Sequence, residues 1–339
     1  MMINLKVVRL RDALHGLCEL SDANHLIVHS GQSLVAVAWP DLRNASDGVT
    51  FSLGPSGYGK VVATNLAVDN AWIVEPKTQR VLVARQGEID SIDPSGRLAA
   101  QRVTVTGLPG GAFAAAVDPE GRHVLLTVLR IVNPDFANYA VAMVDLTNGR
   151  LVREQAIGSG ADLELLWDGR LGTWVVGDTS RGAMWRWDGA GRAVRLTGPT
   201  DGPIHAATFE ATNEGVIVSA LFTKSGTTGL VSGLAEQDRV NWTPAVMLPG
   251  LPVLMARRDP SAVRWACLAQ AGAGQQVQIR DATGKVLAQA GMRPAAHIEK
   301  LQWSVSAPDR LWGFGIHAIA AITLSDRSDD AHSRLLDES

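Results

Sequence analysis

Three groups of residues in this chain have the type and spacing to do chemistry. The first is the stretch GPSGYGKV, Gly54 to Val61, which fits the phosphate-cradling pattern G-x-x-x-x-G-K-[S/T] everywhere but at its last position. A working loop of that kind holds phosphates on successive amides at the start of a helix, and its Ser or Thr ligates Mg²⁺. Here Val61 stands at the Mg²⁺ position, and VVATNLAVDNAWIV, which has no helical period, follows Lys60. The stretch reads as a glycine-rich connecting loop, with Tyr58 and Lys60 as candidate contacts for a partner or an anion. The second group is imidazole. His15, His205 and His297 stand at comparable points, each shortly before a strand-like run. Brought together they would be metal ligands; kept apart, each would hydrogen-bond backbone at a junction, which is the expected arrangement. His25 and His29, four apart in HLIVHS, would suit zinc on a helix, but the segment is β-like and lacks the Glu of HExxH. The third group is nucleophiles. Ser56 lacks the G-x-S-x-G elbow, and Cys18 and Cys267 lie in apolar strand-like sequence as small buried thiols. No catalytic constellation and no cofactor site emerges.

The elements that must position these residues are set by composition and repeat. The chain has 339 residues, 46% hydrophobic, with 34 Gly, 15 Pro and 10 Trp, which describes a core-forming protein with many turns. Its 31 basic and 34 acidic residues are scattered, with no basic run able to track a phosphate backbone, so nucleic acid is disfavoured as a partner. Lys6, Arg9, Arg11 and Asp12 interrupt any leader-like apolar run, and no stretch of about 18 apolar residues could span a bilayer. A cytoplasmic protein that does not enter membranes is expected.

Four segments share one punctuation: DSIDPSGRL, AMVDLTNGRLV, MWRWDGAGRAVRL and QIRDATGKVL, with turn residues Asp93, Asp145, Asp188 and Asp281. In each a strand-like run ends in Asp, a Gly and a basic residue follow, and a second run begins. This is hairpin chemistry, since Asp bonds the backbone just beyond it and Gly supplies positive φ. A degenerate copy lies around Gln237 and Asp238. An interleaved series with turn residues Asp118, Asp168, Asn213, Asp259 and Asp309 recurs at about 45 to 50 residues. Each unit therefore holds two hairpins, and four-stranded units at this period build a β-propeller.

The pattern gives an all-β fold, a single propeller over residues 1–324. Seven four-stranded blades start near residues 14, 70, 111, 161, 204, 251 and 296. Six or eight are the alternatives, because the first two units are the least regular. The last unit lacks a clear fourth strand, and NLKVVRL belongs to no blade, so the N-terminal strand is expected to close the last one. Residues 325–339 read as a polar, disordered tail. The recurrent tryptophans are expected to pack between blades, with Arg186 facing oppositely to Trp185 and Trp187.

By this pattern the chain resembles the broad WD40-like and YVTN-like propeller superfamily over nearly its whole length. Trp187–Asp188 stands as the Trp-Asp pair in one blade, while Ile92, Val144 and Arg280 precede the other aspartates. The resemblance implies that ligands and partners dock at the channel mouth, where blade-to-blade loops and loops between second and third strands meet. The candidate contacts there are Tyr58 and Lys60 in GPSGYGK, and Asn133, Asp135 and Tyr139 in RIVNPDFANYA. It further implies a non-catalytic scaffold in a bacterial cytoplasmic assembly, with an AAA-type ATPase or a von Willebrand-type domain protein as partner. A metal-dependent or small-molecule-binding enzyme of lactonase or lyase type, with its site at the same mouth, is the alternative. Neither the parent chain nor its Lys60→Ala variant is expected to bind ATP in equilibrium dialysis; binding lost in the variant would restore the phosphate-loop reading.

Overall fold

Aspartate carboxylates fold the hairpins. Asp145 accepts hydrogen bonds from the amide (2.9 Å) and hydroxyl (2.5 Å) of Thr147, and Asp281 accepts the equivalent pair from Thr283 (2.8 and 2.6 Å). Asp188 holds the amides of Ala190 and Gly191, each at 2.8 Å. The hydroxyl of Ser95, followed by nearby amides, brings the Asp93 carboxyl down to about 2. The glycine that completes the Asp145 turn, Gly149, has φ +69, and a Cβ there would lie 2.0 Å from the Thr104 carbonyl oxygen. The turn therefore requires both residues, for carboxylate and for conformation.

The computed structural model describes residues 1–325 apart from 23, 44–49, 55–56, 68–69, 109–111, 134–135, 159–161, 200–201, 260, 262, 293–295 and 305. Its strands form seven sheets, each built on four antiparallel strands, the blades of a β-propeller. Blade 1 comprises Leu14–Glu19, His25–Ser30, Ser33–Ala38 and Lys60–Ala63. Blade 2 begins at Trp72, blade 3 at Ala112, blade 4 at Leu163, blade 5 at Ile204 and blade 6 at Val253. Blade 7 comprises Lys300–Trp303, Arg310–Gly315 and Ala318–Ser325, and its fourth strand is Met2–Leu10. That N-terminal strand runs antiparallel to Ala318–Ser325, from Met2↔Ser325 to Arg9↔Ala318, and closes the ring as the sequence predicts. Thr50–Phe51 pairs in parallel outside Arg9–Leu10, and Val246–Leu248 adds to blade 5. Of the tail, Ser325 is still strand; residues 326–339 lie outside the described residues.

Each seam between neighbouring blades carries its own apolar cluster. Leu26 and Val28 face blade 7 and pack with Trp312 and Ile319, while Ile27 between them faces blade 2 and packs with Val74 and Val81. The period-two alternation thus buries both faces of a strand, one against each neighbour. Tryptophans fill the seams: Trp174 and Trp187 between blades 3 and 4, Trp265 between 5 and 6, Trp303 between 6 and 7. Arg186 points the other way, as alternation requires. It donates to Asp168 (2.9 Å) and to the carbonyls of Ala235 (2.9 Å) and Glu236 (2.8 Å), fastening blade 4 to blade 5.

The stretch Gly54–Lys60 corrects the expectation of a blade-to-blade loop. It lies inside blade 1, on the long connection from the third strand to the fourth, which starts at Lys60. That connection also contains the short helix Trp39–Arg43, whose Trp39 ring meets Trp312 edge-on at 4.9 Å. Deleting residues 1–11 is expected to expose the edge of Ala318–Ser325 and give soluble aggregates in size-exclusion chromatography; a monomer with unchanged urea unfolding would overturn the closing role of this strand.

Candidate functional site

The first strand of every blade lines one central cavity of about 870 Å³. At the mouth where these strands begin, four of them carry an irregularity in register. Leu14 pairs Ser30 but Gly16 pairs His29, leaving His15 as the extra residue. His205 is extra in blade 5 and Leu254 in blade 6, while in blade 3 the shift falls between Ala112 and Ala115 and takes in Phe113. A bulge of this kind bends the strand and re-aims the side chain it carries. In blade 3 the freed amide of Ala114 is satisfied by the Thr127 hydroxyl at 2.8 Å.

The predicted histidines therefore have two fates. His15 lines the cavity, whereas His205 and His297 are exposed. Among the described residues no group of three or more His, Cys, Asp or Glu side chains could hold a metal ion. His25 is drawn off by Asp22, with Nδ1 2.5 Å from the carboxylate. His29 faces His15 instead, the ring centroids 5.1 Å apart at 67°. Burial, followed by the neighbouring His15, lowers the His29 imidazole to about 4.

The other candidates divide likewise. Tyr139 packs edge-on against Phe113 at 6.0 Å, so it belongs to the mouth. Asn133 is the last residue of its strand and pairs Phe136, but its side chain, like the whole of Asp135, lies outside the described residues. Tyr58 is exposed and rests on Phe51, and Lys60 donates to the Ser95 carbonyl in the third-to-fourth-strand turn of blade 2. Such turns lie at the end of the propeller opposite the mouth, so these two residues are removed from it. Both thiols are inert: burial raises Cys18 to about 11 and Cys267 to about 12.

A charged cluster that the sequence did not reveal lies on the cavity wall. Arg257 of blade 6 donates to Glu164 of blade 4 at 2.8 Å and to the Phe209 carbonyl at 3.3 Å, and stands 3.5 Å from Glu210 of blade 5. Both Glu210 oxygens are out of solvent and make no hydrogen bond to the described residues. Burial pushes this carboxyl up to about 7, Arg257 opposing and Glu164 adding to the rise. The three charges stand four, three and two residues before the turn residues Asp168, Asn213 and Asp259, so no fixed offset marked them in the sequence.

Compared with models of known protein families and with curated proteins, the sequence matches none. Among the described residues no helix is long and apolar enough to cross a membrane.

A carboxyl whose pKa is higher in the folded chain than in the unfolded one binds its proton more tightly when folded. Its effect is absent below the ordinary glutamate value of 4.5, and it lowers stability as pH rises from there to about 7. Glu210→Gln should remove this dependence. In urea titrations the variant is expected to match the parent near pH 4.5 and to exceed it at pH 8 by on the order of 3 kcal/mol. A variant weaker than the parent at pH 8 would identify Glu210 as an ionised anchor for Arg257.

Proposed function

We propose that this propeller is a non-catalytic protein-interaction platform, with its partner docking over the mouth where the first strands begin. The observation that carries the reading is the set of bulged positions there, which present His15, Phe113, His205 and Leu254 from four blades of one closed ring. Phe113 and Leu254 are 38% and 41% exposed, large apolar side chains in a place where burial is easy to arrange. Rigid aromatic and aliphatic anchors of this kind supply most of the affinity at protein interfaces. Phe113 is further held by Tyr139, which limits the entropy lost on docking.

The repeated carboxylates support the same reading from the other side. Asp118, Asp168 and Asp259 spend their oxygens on turn amides and on the side chains of His123, Arg186 and Arg264. They hold turns and fasten neighbouring strands, which is a structural use of the repeated carboxylates. The WD40-like resemblance suggests an AAA-type ATPase or a von Willebrand-type domain protein in a bacterial cytoplasmic assembly as the first partners to try.

The test is affinity capture from the native host, purification of the captured protein, and measurement of its Kd against surface variants. Phe113→Ser and Leu254→Ser should each weaken binding tenfold or more, about 1.4 kcal/mol per factor of ten. Leu98→Ser and Val263→Ser, at exposed turn positions on the opposite face, should leave it unchanged. Loss confined to the opposite-face variants, or absent from all four, would overturn the proposal.

A further inference from the structure

His29 is the most deeply buried imidazole whose chemistry the fold does not use. It is 1% exposed, and its Nε2 is out of solvent without a hydrogen-bond partner among the described residues. Of its two nitrogens it is Nε2 that is shut away from solvent with no partner among the described residues. A buried polar atom left this way costs free energy unless something occupies it. The neighbour positioned to share an occupant is His15, which the bulge in the first strand of blade 1 turns toward the His29 ring at the cavity wall.

We propose that His15 and His29 together bind a single divalent transition-metal cation of the zinc or copper class, with the remaining coordination positions open to the channel. Imidazole nitrogen is the preferred neutral ligand for these ions. Two imidazoles on one tetrahedral ion, with metal–nitrogen bonds of about 2.0–2.1 Å, hold their ring centroids about 5 Å apart; here the separation is 5.1 Å. Two protein ligands are fewer than a closed structural site needs, so the ion would keep positions for water or for a group entering the cavity. The site shares His15 with the set of bulged positions at the mouth, while the variants that test partner docking, at Phe113 and Leu254, leave it untouched.

The experiment is titration of the full chain with Zn²⁺ by calorimetry in a non-chelating buffer, together with the electron paramagnetic resonance spectrum of the Cu²⁺ form. Saturable binding at about one Zn²⁺ per chain is expected, with nitrogen couplings from two imidazoles in the Cu²⁺ spectrum. His15→Ala, a change at a half-exposed position, should weaken binding at least tenfold and leave one coupling. His29→Ala should abolish binding. His205→Ala and His297→Ala, at exposed imidazoles, should bind as the parent does. No saturable binding by the parent, or binding that depends on His205 or His297 and survives loss of His15, would overturn the site.

Discussion

Everything else in this molecule depends on closing a ring. Blade 7 takes three strands from the end of the chain and one from its beginning, and the eight paired positions from Met2↔Ser325 to Arg9↔Ala318 join the two. An open row of sheets would leave a bare edge and two blades packed on one face only. Closure gives every blade two neighbours, and that is why strands such as His25–Ser30 and Val81–Arg85 are buried almost throughout, without the polar outward face of a solvated sheet. It also brings together parts of the chain some 320 residues apart, a contact whose loop entropy must be met before it yields any stabilisation.

Closure crowds the first strands against one another around the axis, and the bulges are where the crowding is turned to use. They occur at the starts of the first strands of blades 1, 3, 5 and 6 and leave the middles of those strands regular. The regular part packs the seams; the irregular part decides which side chains reach the mouth. A strand without the extra residue would direct alternate side chains into the two seams, and His15 would have no route to His29.

What the sequence disclosed follows the range of the interaction involved. Aspartate turns are local, a carboxylate on amides two to five residues ahead, so blade starts expected at 14, 70, 111, 161, 204, 251 and 296 fall within four residues of those observed at 14, 72, 112, 163, 204, 253 and 300. The missing fourth strand of blade 7 was legible because NLKVVRL had strand character and no other place. Register was not legible. A bulge is a mismatch between two strands, and no single strand shows it, so His29 was weighed against His25 in its own strand while its neighbour His15 stood across the sheet. The lack of helical period after Lys60 was legible, and a strand begins there; the stretch GPSGYGK was nevertheless placed between blades because the connection from Ala38 to Lys60 is far longer than the turns elsewhere.

The cluster of Glu164, Arg257 and Glu210 shows the same limit and adds a physical point. Arg257 reaches past blade 5 to bond blade 4, so its partners are fixed by how three successive blades fan about the axis. Buried ion pairs rarely stabilise a fold beyond what apolar side chains of the same volume would, because desolvation offsets the attraction. A second buried carboxyl beside Glu164 makes this cluster costlier still, and burial is what pushes the Glu210 carboxyl up. What the arrangement supplies is geometry: the Arg257 guanidinium meets Glu164 and the Phe209 carbonyl together only when the three first strands keep this stagger.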